Sequence, residues 1–452
     1  MKPYFEKLFR LKENNTTIGT EVIAGLVTFA TMSYITCVQP AILSGRFFGI
    51  STNMPFDALL TTTCLTAALG CFLMGLYANY PIALAAGMGE NILMVITLIP
   101  ACSVLVGSEA GPDAAWQLAL GVVFIAGLVF LILSFLNIRK LLIGAVSNSM
   151  KNAIAVGIGL FIALLGLENG KMIIGASGHY ILNPLHSTET FIFLVGLTVI
   201  AVLQVRRIRG AILLGMLFST LVALLLGVIR PTALLGWPAN PLPVIGQADI
   251  AGVFSHFADL LPLLIIFIYM DVFDTLGTVI GVGARAGLLK NGHLPRVERV
   301  FSVDALSTVV GAAAGMSTVT CFVESSAGVE SGGRTGLTAV VCGLAFLLVL
   351  FFTPLLQTII GYTPITAPAL VIVGAMMVQN VTLIDWQDYS EAIPSFLIII
   401  GIPFSYSIAD GMLLGFISYP VIKLLAGRGR NVGWLSYLLA ALLAAYLFFL
   451  KR

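Results

Sequence analysis

Fourteen apolar segments follow one another along this sequence, over about residues 20–43, 57–78, 84–99, 115–137, 147–167, 190–205, 211–229, 259–283, 300–315, 317–331, 335–356, 364–379, 389–405 and 408–425. A helix needs roughly 20 apolar residues to cross the hydrocarbon of a bilayer. Backbone in that medium must satisfy its own hydrogen bonds, which leaves helices or a closed barrel. Runs of this length and spacing predict an all-α polytopic membrane protein. A further run, Trp434 to Leu450, predicts a fifteenth span or an interfacial helix. The composition agrees, with 59% hydrophobic and only 10% charged residues and a mean hydropathy of +1.04.

The few basic residues orient the chain, because cytoplasmic loops collect Lys and Arg. With the N-terminus inside, 18 of the 23 basic residues fall on cytoplasmic loops. They include Lys2, Lys7, Arg10 and Lys12 before the first segment, Arg139, Lys140 and Lys151, then Arg206, Arg207 and Arg209. Arg285, Lys290, Arg296, Arg299, Arg334, Lys423, Arg428 and Arg430 complete the set. Arg46, Lys171 and Arg230 fall outside, and Lys451 and Arg452 depend on the last run. The N-terminal MKPYFEKLFRLKENN has no apolar signal-peptide core and is expected to stay in the cytoplasm.

Two segments are short and interrupted. Segment ten, within Met316 to Gly336, carries Glu324, Glu330 and Arg334 among Ser, Thr and Gly. Its left part, Ser317 to Val323, reads as an extended run; from Ser325 it reads as a short helix ending at Gly332-Gly333. Segment three, YPIALAAGMGENILM, has the same order: an extended run, then Gly87, Gly89, Glu90 and Asn91, then a helix. Seven segments separate the two, and seven is odd, so the second copy is inverted in the membrane. Paired interrupted segments in corresponding positions are the sequence mark of a transporter's binding site. Their half-helix N-termini would present free N–H groups near the midplane.

A carboxylate at membrane depth costs about 2.5–3.5 kcal/mol or more, which singles out Glu324 and the pair Asp271 and Asp274. The aspartates are three apart in segment eight and so share a helix face. Asn91 can cap its half-helix or bond a ligand amide, and Glu90 can face the cavity or a neighbouring helix. Glu330 and Arg334, four apart, can pair at the cytoplasmic end. Other signals stay weak. The six cysteines lie in or beside apolar spans without metal or disulfide spacing. GVGARAG and GRGRNVG follow no strand of a βαβ unit, and GGRTG lacks the Lys-Ser/Thr end of a phosphate loop. His179, His186, His256 and His293 have no ligand spacing. Asn14-Asn15-Thr16 matches a glycosylation acceptor on the expected cytoplasmic side. No Ser-His-Asp or Cys-His set suggests hydrolytic chemistry, so an enzyme, a metal centre and a nucleic-acid partner are not expected.

Six stretches carry a resemblance over nearly the whole chain: GTEVIAGLVTFATMSYITCVQPAILS at 19–44, YPIALAAGMGEN at 80–91, DVFDTLGTVIGVGARAG at 271–287, VESSAGVESGGRTGLTAVVCGLAFLLVLFFTPL at 323–355, TAPALVIVGAMM at 366–377 and EAIPSFLIIIGIPFSYSIADGMLLGFISY at 391–419. In order and spacing they resemble AzgA-like purine permeases of the nucleobase:cation symporter family 2. The resemblance implies fourteen segments as two inverted repeats of seven (the UraA-like 7+7 fold), with short strands and half-helices in segments three and ten. It implies a core domain from 20–137 and 259–356 and a gate domain from 147–229 and 364–425, flanked by a cytoplasmic segment 1–19 and the extra apolar segment 432–452. The gate is the expected homodimer contact, and the core is expected to move against it as an elevator.

The same resemblance implies a multi-pass plasma-membrane importer of purines (hypoxanthine, guanine, adenine) coupled to protons, with no cofactor. Carried over by motif, Asp271 and Glu324 match an acidic pair for purine binding and proton coupling, Asp274 a supporting aspartate, and Gly89 and Asn91 the segment-three positions. Ser325, Phe273 and Phe322 complete the expected substrate site, the two rings as stacking walls or ordinary packing. The family's usual proline in the segment-three turn is replaced by Ala86, and the commonly uncharged position after Gly89 is Glu90. Both departures bear on which purine is preferred. Carboxylates accept from purine N–H groups, while half-helix N–H groups donate to purine acceptors. A carboxylate removed from water takes up a proton more readily. Two other readings are an anion exchanger or channel of the same architecture, whose site should be cationic, and a uracil- or xanthine-type permease.

Overall fold

A computed structural model describes residues 6, 8–107, 111–135, 147–176, 179–184, 187–230, 233–288 and 294–445. Lys2, Lys7, Arg139, Lys140, His186, Lys290, His293, Lys451 and Arg452 lie outside the described residues, as do the side chains of Phe273, His179 and Arg285.

Helices dominate because each apolar run closes its own backbone hydrogen bonds. Segment one, expected as one run, is two helices, α1 (Ile18–Met32) and α2 (Ile35–Leu43), with a break at Ser33-Tyr34. The break is stabilised locally: Ser33 O accepts from Thr36 Oγ1 at 2.7 Å and from Thr36 N at 3.1 Å. Then come α3 (Phe56–Leu73), strand β1 (Leu84–Ala86), α4 (Met88–Leu93), α5 (Ile99–Val106) and α6 (Ala114–Phe135). A run of long helices follows: α7 (Asn148–Asn169), α8 (Thr188–Val205) and α9 (Ala211–Leu225), with a hairpin β2 (Ile173–Ala176) and β3 (His179–Leu182) after α7. The second half repeats the plan: short α10 (Ile250–Ser255), α11 (Phe257–Arg285), α12 (Val297–Ala313), β4 (Val319–Cys321), α13 (Ser325–Glu330), α14 (Gly336–Val349) and α15 (Thr353–Ile360). It ends with α16 (Ala367–Val378), α17 (Tyr389–Ser405), α18 (Ile408–Leu425) and α19 (Trp434–Ala445). Among the described residues nine helices are long and apolar enough to cross a membrane, and Ala211–Leu225, Ala367–Leu383 and Tyr389–Ser405 are shorter apolar helices.

The packing carries the inverted repeat. Helix α1 packs on α14, and its counterpart α11 packs on α6; α3 packs on α14, and α12 on α6; α13 packs on α1, and α4 on α11. In the other helices α7 packs on α17 and α16 on α8, while α17 pairs with α18 and α8 with α9. Each of these contacts recurs seven segments further on. The pair α7–α16, on the symmetry axis, packs on itself, and a Cβ at Gly159 would lie 2.9 Å from Gly374 O. Strands β1 and β4 also meet on that axis, antiparallel, as the inversion requires.

Candidate functional site

The two broken segments cross at a three-residue ladder. Leu84 faces Cys321, Ala85 faces Thr320 and Ala86 faces Val319. The ladder extends by one bond at each end, Phe322 N to Ala83 O at 3.0 Å and Gly87 N to Thr318 O at 3.2 Å. Extended backbone is confined to these few residues, whereas the sequence reading ran it from 317 to 323. Short strands survive at this depth because each satisfies the other's polar groups inside protein. Ser325 is spent on the same junction: its Oγ accepts from Ala83 N at 3.0 Å. Helices α4 and α13 start on either side of the crossing.

Helix α11 runs past both half-helices and β4. Asp271 points inward, 2% exposed, and its Oδ1 has no hydrogen-bond partner. Asp274, three residues on, is exposed where Asp271 is buried, yet it stands by the same crossing, beside Thr320 and the other carboxylates. Thr275 beside them is buried; its hydroxyl donates to Asp304 Oδ2 at 2.5 Å and lies 3.1 Å from Thr320 Oγ1. Asp304, on α12, also accepts from Cys321 N at 3.0 Å and is fully buried. It ties α11 and α12 to the strand that leads to Glu324.

Around α4 the groups are equally tight. Asn91 is fully buried, its Oδ1 3.5 Å from Thr318 Oγ1 and its Nδ2 without a partner. Glu90, 2% exposed, lies over the turn: a Cβ at Gly87 would sit 2.5 Å from Glu90 Oε2. A Cβ at Gly89 would sit 3.2 Å from Ile158 Cδ1 of α7 and 3.4 Å from Met270 Cε of α11. Gly89 therefore marks where segments three, five and eight meet. Across the crossing, Glu324 accepts at Oε1 from the Tyr34 hydroxyl at 2.8 Å, and the same hydroxyl lies 3.6 Å from Met88 Sδ.

Of the residues named from sequence, Asp271, Asn91, Gly89, Glu90, Glu324 and Ser325 gather around the β1–β4 crossing. Phe322, 7% exposed, packs at the end of β4, and Glu330 lies exposed at the end of α13. Arg334 donates from Nη1 to Val329 O at 2.6 Å and Gly333 O at 2.7 Å. Three buried residues escaped the sequence reading. Asp304 lay open to the membrane-cost argument applied to Asp271. Glu21, whose oxygens accept from Arg334 N, Thr335 N, Thr338 N and Thr338 Oγ1, caps α14. Tyr34 carries no sequence signal beyond an aromatic in an apolar run. Among the described residues no group of three or more His, Cys, Asp or Glu is arranged to hold a metal. What the site offers is a buried carboxylate oxygen on Asp271 and a buried amide donor on Asn91, neither with a partner.

A model described as the Permease family (Xan_ur_permease) matches residues 19–413. The chain belongs to this permease family. The permease is 39% identical over 450 residues to the guanine/hypoxanthine permease PbuO of Bacillus subtilis, covering 98% of this chain and 100% of that one. It is 38% identical over 448 residues to the adenine permease AdeP of Escherichia coli, covering 99% and 95%. A putative permease of Methanocaldococcus jannaschii is 40% identical over 444 residues, covering 98% and 97%. Among solved structures, the transmembrane domain of the cyanobacterial bicarbonate transporter BicA superposes with a TM-score of 0.62 at 14% identity, covering 88% of the permease and 96% of that chain. SLC26A9 gives 0.61 at 11% identity, covering 94% and 69%. At such identities the likeness concerns the fold alone. The permease is a multi-pass membrane transport protein of the 7+7 inverted-repeat class.

Proposed function

We propose that this permease imports purine nucleobases across the cell membrane by proton symport, with the substrate held between the two half-helices and α11. The observation that carries the reading is a pair of complementary orphans. Asp271 Oδ1 can only accept when ionised, Asn91 Nδ2 can only donate, and both are buried without a partner. Leaving such groups unpaired costs about 1–3 kcal/mol each. A purine edge, with N–H donors beside ring or carbonyl acceptors, answers both. Relatives named as guanine/hypoxanthine and adenine permeases support the substrate class. Several intramembrane carboxylates and, among the described residues, no cation at the crossing argue against an anion exchanger.

The division of labour follows the packing. The set α1 to α6 with α11 to α15 is the core that carries the carboxylates. The set α7 to α9 with α16 to α18 is the gate, and Gly89 against Ile158 is where the two touch at the substrate. Sliding of core past gate would expose the crossing to each side in turn, and Asp271 is the group we assign to carry the proton. The basic-residue bias supports an N-terminus in the cytoplasm. A cysteine at Lys171 should then react with an impermeant reagent in intact cells, whereas one at Arg207 reacting would reverse the map.

The test is uptake of radiolabelled hypoxanthine, guanine, adenine, xanthine and uracil into proteoliposomes with an inward proton gradient, with and without a protonophore. Accumulation of one or more of the first three, collapsed by the protonophore, is the expected result. Uptake confined to uracil or xanthine would overturn the substrate class, and uptake indifferent to the protonophore would overturn the coupling.

A further inference from the structure

Glu324 is not alone at the crossing. Its Oε1 accepts from the Tyr34 hydroxyl at 2.8 Å, and Tyr34 is 1% exposed. The chain goes to some length to deliver that hydroxyl. Helix α1 stops at Met32 and α2 restarts at Ile35, so Tyr34 sits in the break. The Thr31 hydroxyl, one turn earlier, reaches the backbone oxygen of Glu324 at 3.4 Å. The Tyr34 hydroxyl is also 3.6 Å from Met88 Sδ, at the start of the other half-helix. A phenol on a third element thus spans the gap between the two interrupted segments.

We infer that Tyr34 is a specificity-determining residue of the substrate site, an inference that rests on the purine reading above. A phenolic hydroxyl has one proton and lone pairs to spare. With its proton committed to Glu324 Oε1, Tyr34 can only accept from a further group, and thioether sulfur at Met88 offers no proton. Glu324, held at Oε1, keeps Oε2 for the ligand. The pair is therefore two neighbouring acceptors in fixed orientation. The ligand chemistry that answers them is two adjacent N–H donors on one ring edge. Guanine carries that pattern, as ring N–H beside exocyclic amine, whereas hypoxanthine offers the ring N–H alone on that edge. Tyr34 accordingly favours the aminated purine, and Glu324 binds both.

The experiment measures Kd and transport KM and Vmax for guanine and hypoxanthine in the full-length wild-type protein and in Tyr34→Phe, which keeps the ring and removes the hydroxyl. Thr31→Val, which removes a hydroxyl shared among Thr28 O, Val27 O and Glu324 O without touching the Tyr34 phenol, is the control. The expected result is a rise in KM for guanine of up to roughly tenfold, the scale of one hydrogen bond lost between neutral groups. The rise for hypoxanthine should be severalfold smaller, with Vmax little changed for either and Thr31→Val showing no base preference. Equal losses for both bases, a fall in Vmax alone, or loss of all binding would overturn the assignment and make Tyr34 a structural strut. A wild-type protein that binds neither base would defeat the purine reading itself, and this inference with it.

Discussion

The core and gate sets are built from similarly apolar sequence, yet they treat polar groups in opposite ways. In the core, helices are interrupted at Ser33-Tyr34, at Gly87 and between Cys321 and Ser325, and the buried carboxylates Glu90, Asp271 and Asp304 and the half-buried Glu324 cluster around those breaks. In the gate, α7, α8, α9, α16, α17 and α18 run unbroken, and their central contacts are close backbone approaches such as Gly159 on Gly374. Its ion pairs stand at helix ends: Lys423 Nζ lies 2.9 Å from Glu391 Oε1 and 3.5 Å from Asp388 Oδ2, and Arg428 lies 2.9 Å from Asp388. Broken backbone and buried charge occur together because each exposed N–H or C=O needs a partner and each carboxylate needs donors. An unbroken helix offers neither. On the mechanism proposed above, the core would carry the chemistry and the gate the surface against which it moves.

That contrast predicts where substitutions act. The largest effects should be on transport, from the core carboxylates. Glu324→Gln exchanges an acceptor for a donor beside the ligand, and purine Kd should rise tenfold or more, since 1.4 kcal/mol is a factor of ten. Asp271→Asn imitates a permanently protonated group. Counterflow of purine should persist while accumulation driven by a pH gradient is lost. Gradient-driven accumulation in both variants would break the assignment of chemistry to the core.

Next comes a pure stability effect in the gate. Lys423→Met takes the buried cation away from Glu391, while Arg428 still holds Asp388, so the gate end should lose stability. The expected readout is a lower thermal unfolding temperature with purine KM unchanged. A shift of KM with unaltered stability would contradict the division. Asp304→Asn should fall between the two, because it weakens charge-assisted bonds from Thr275 and Cys321 N, worth about 1.5–3 kcal/mol, and loosens the strand leading to Glu324. Here both unfolding temperature and KM should move. Movement of only one would show that Asp304 is not the link between scaffold and site.

How far the sequence reaches differs between the same two regions. Segment positions, the two interruptions and their inverted relation are legible because hydropathy and glycine placement are local properties. Asp271, Asn91 and Glu324 were legible for a related reason, since the expense of burying them is independent of the fold. Tyr34 was not, because its role depends on a helix break beneath Glu324, some 290 positions away. The contrast between buried Asp271 and exposed Asp274 likewise depends on what packs against α11, which spacing along one helix does not contain.

The smallest expected effect is electrostatic and lies outside the spans. Asp388, at the N-terminus of α17, is held below the ordinary carboxylate range, at about 2, first by hydrogen bonds from the Ser390 hydroxyl and backbone N–H and then by Lys423 and Arg428. A depressed carboxylate contributes stability above its unfolded value, about 3.9, and loses it as pH falls through the folded value. The gate end should hold at neutral pH and weaken slightly between about pH 4 and 2. The titration of the Asp388 carboxyl carbon, followed by NMR, checks it; a midpoint near 4 would remove the pairing from the account.

The most direct test of the central claim is a structure of the full-length permease with hypoxanthine bound. The account predicts the base beside the β1–β4 crossing, with a ring N–H about 2.7–3.2 Å from a Glu324 or Asp271 oxygen and Asn91 Nδ2 donating to a purine acceptor. Hypoxanthine bound elsewhere, with Asp271 Oδ1 and Asn91 Nδ2 still unpartnered, would contradict it.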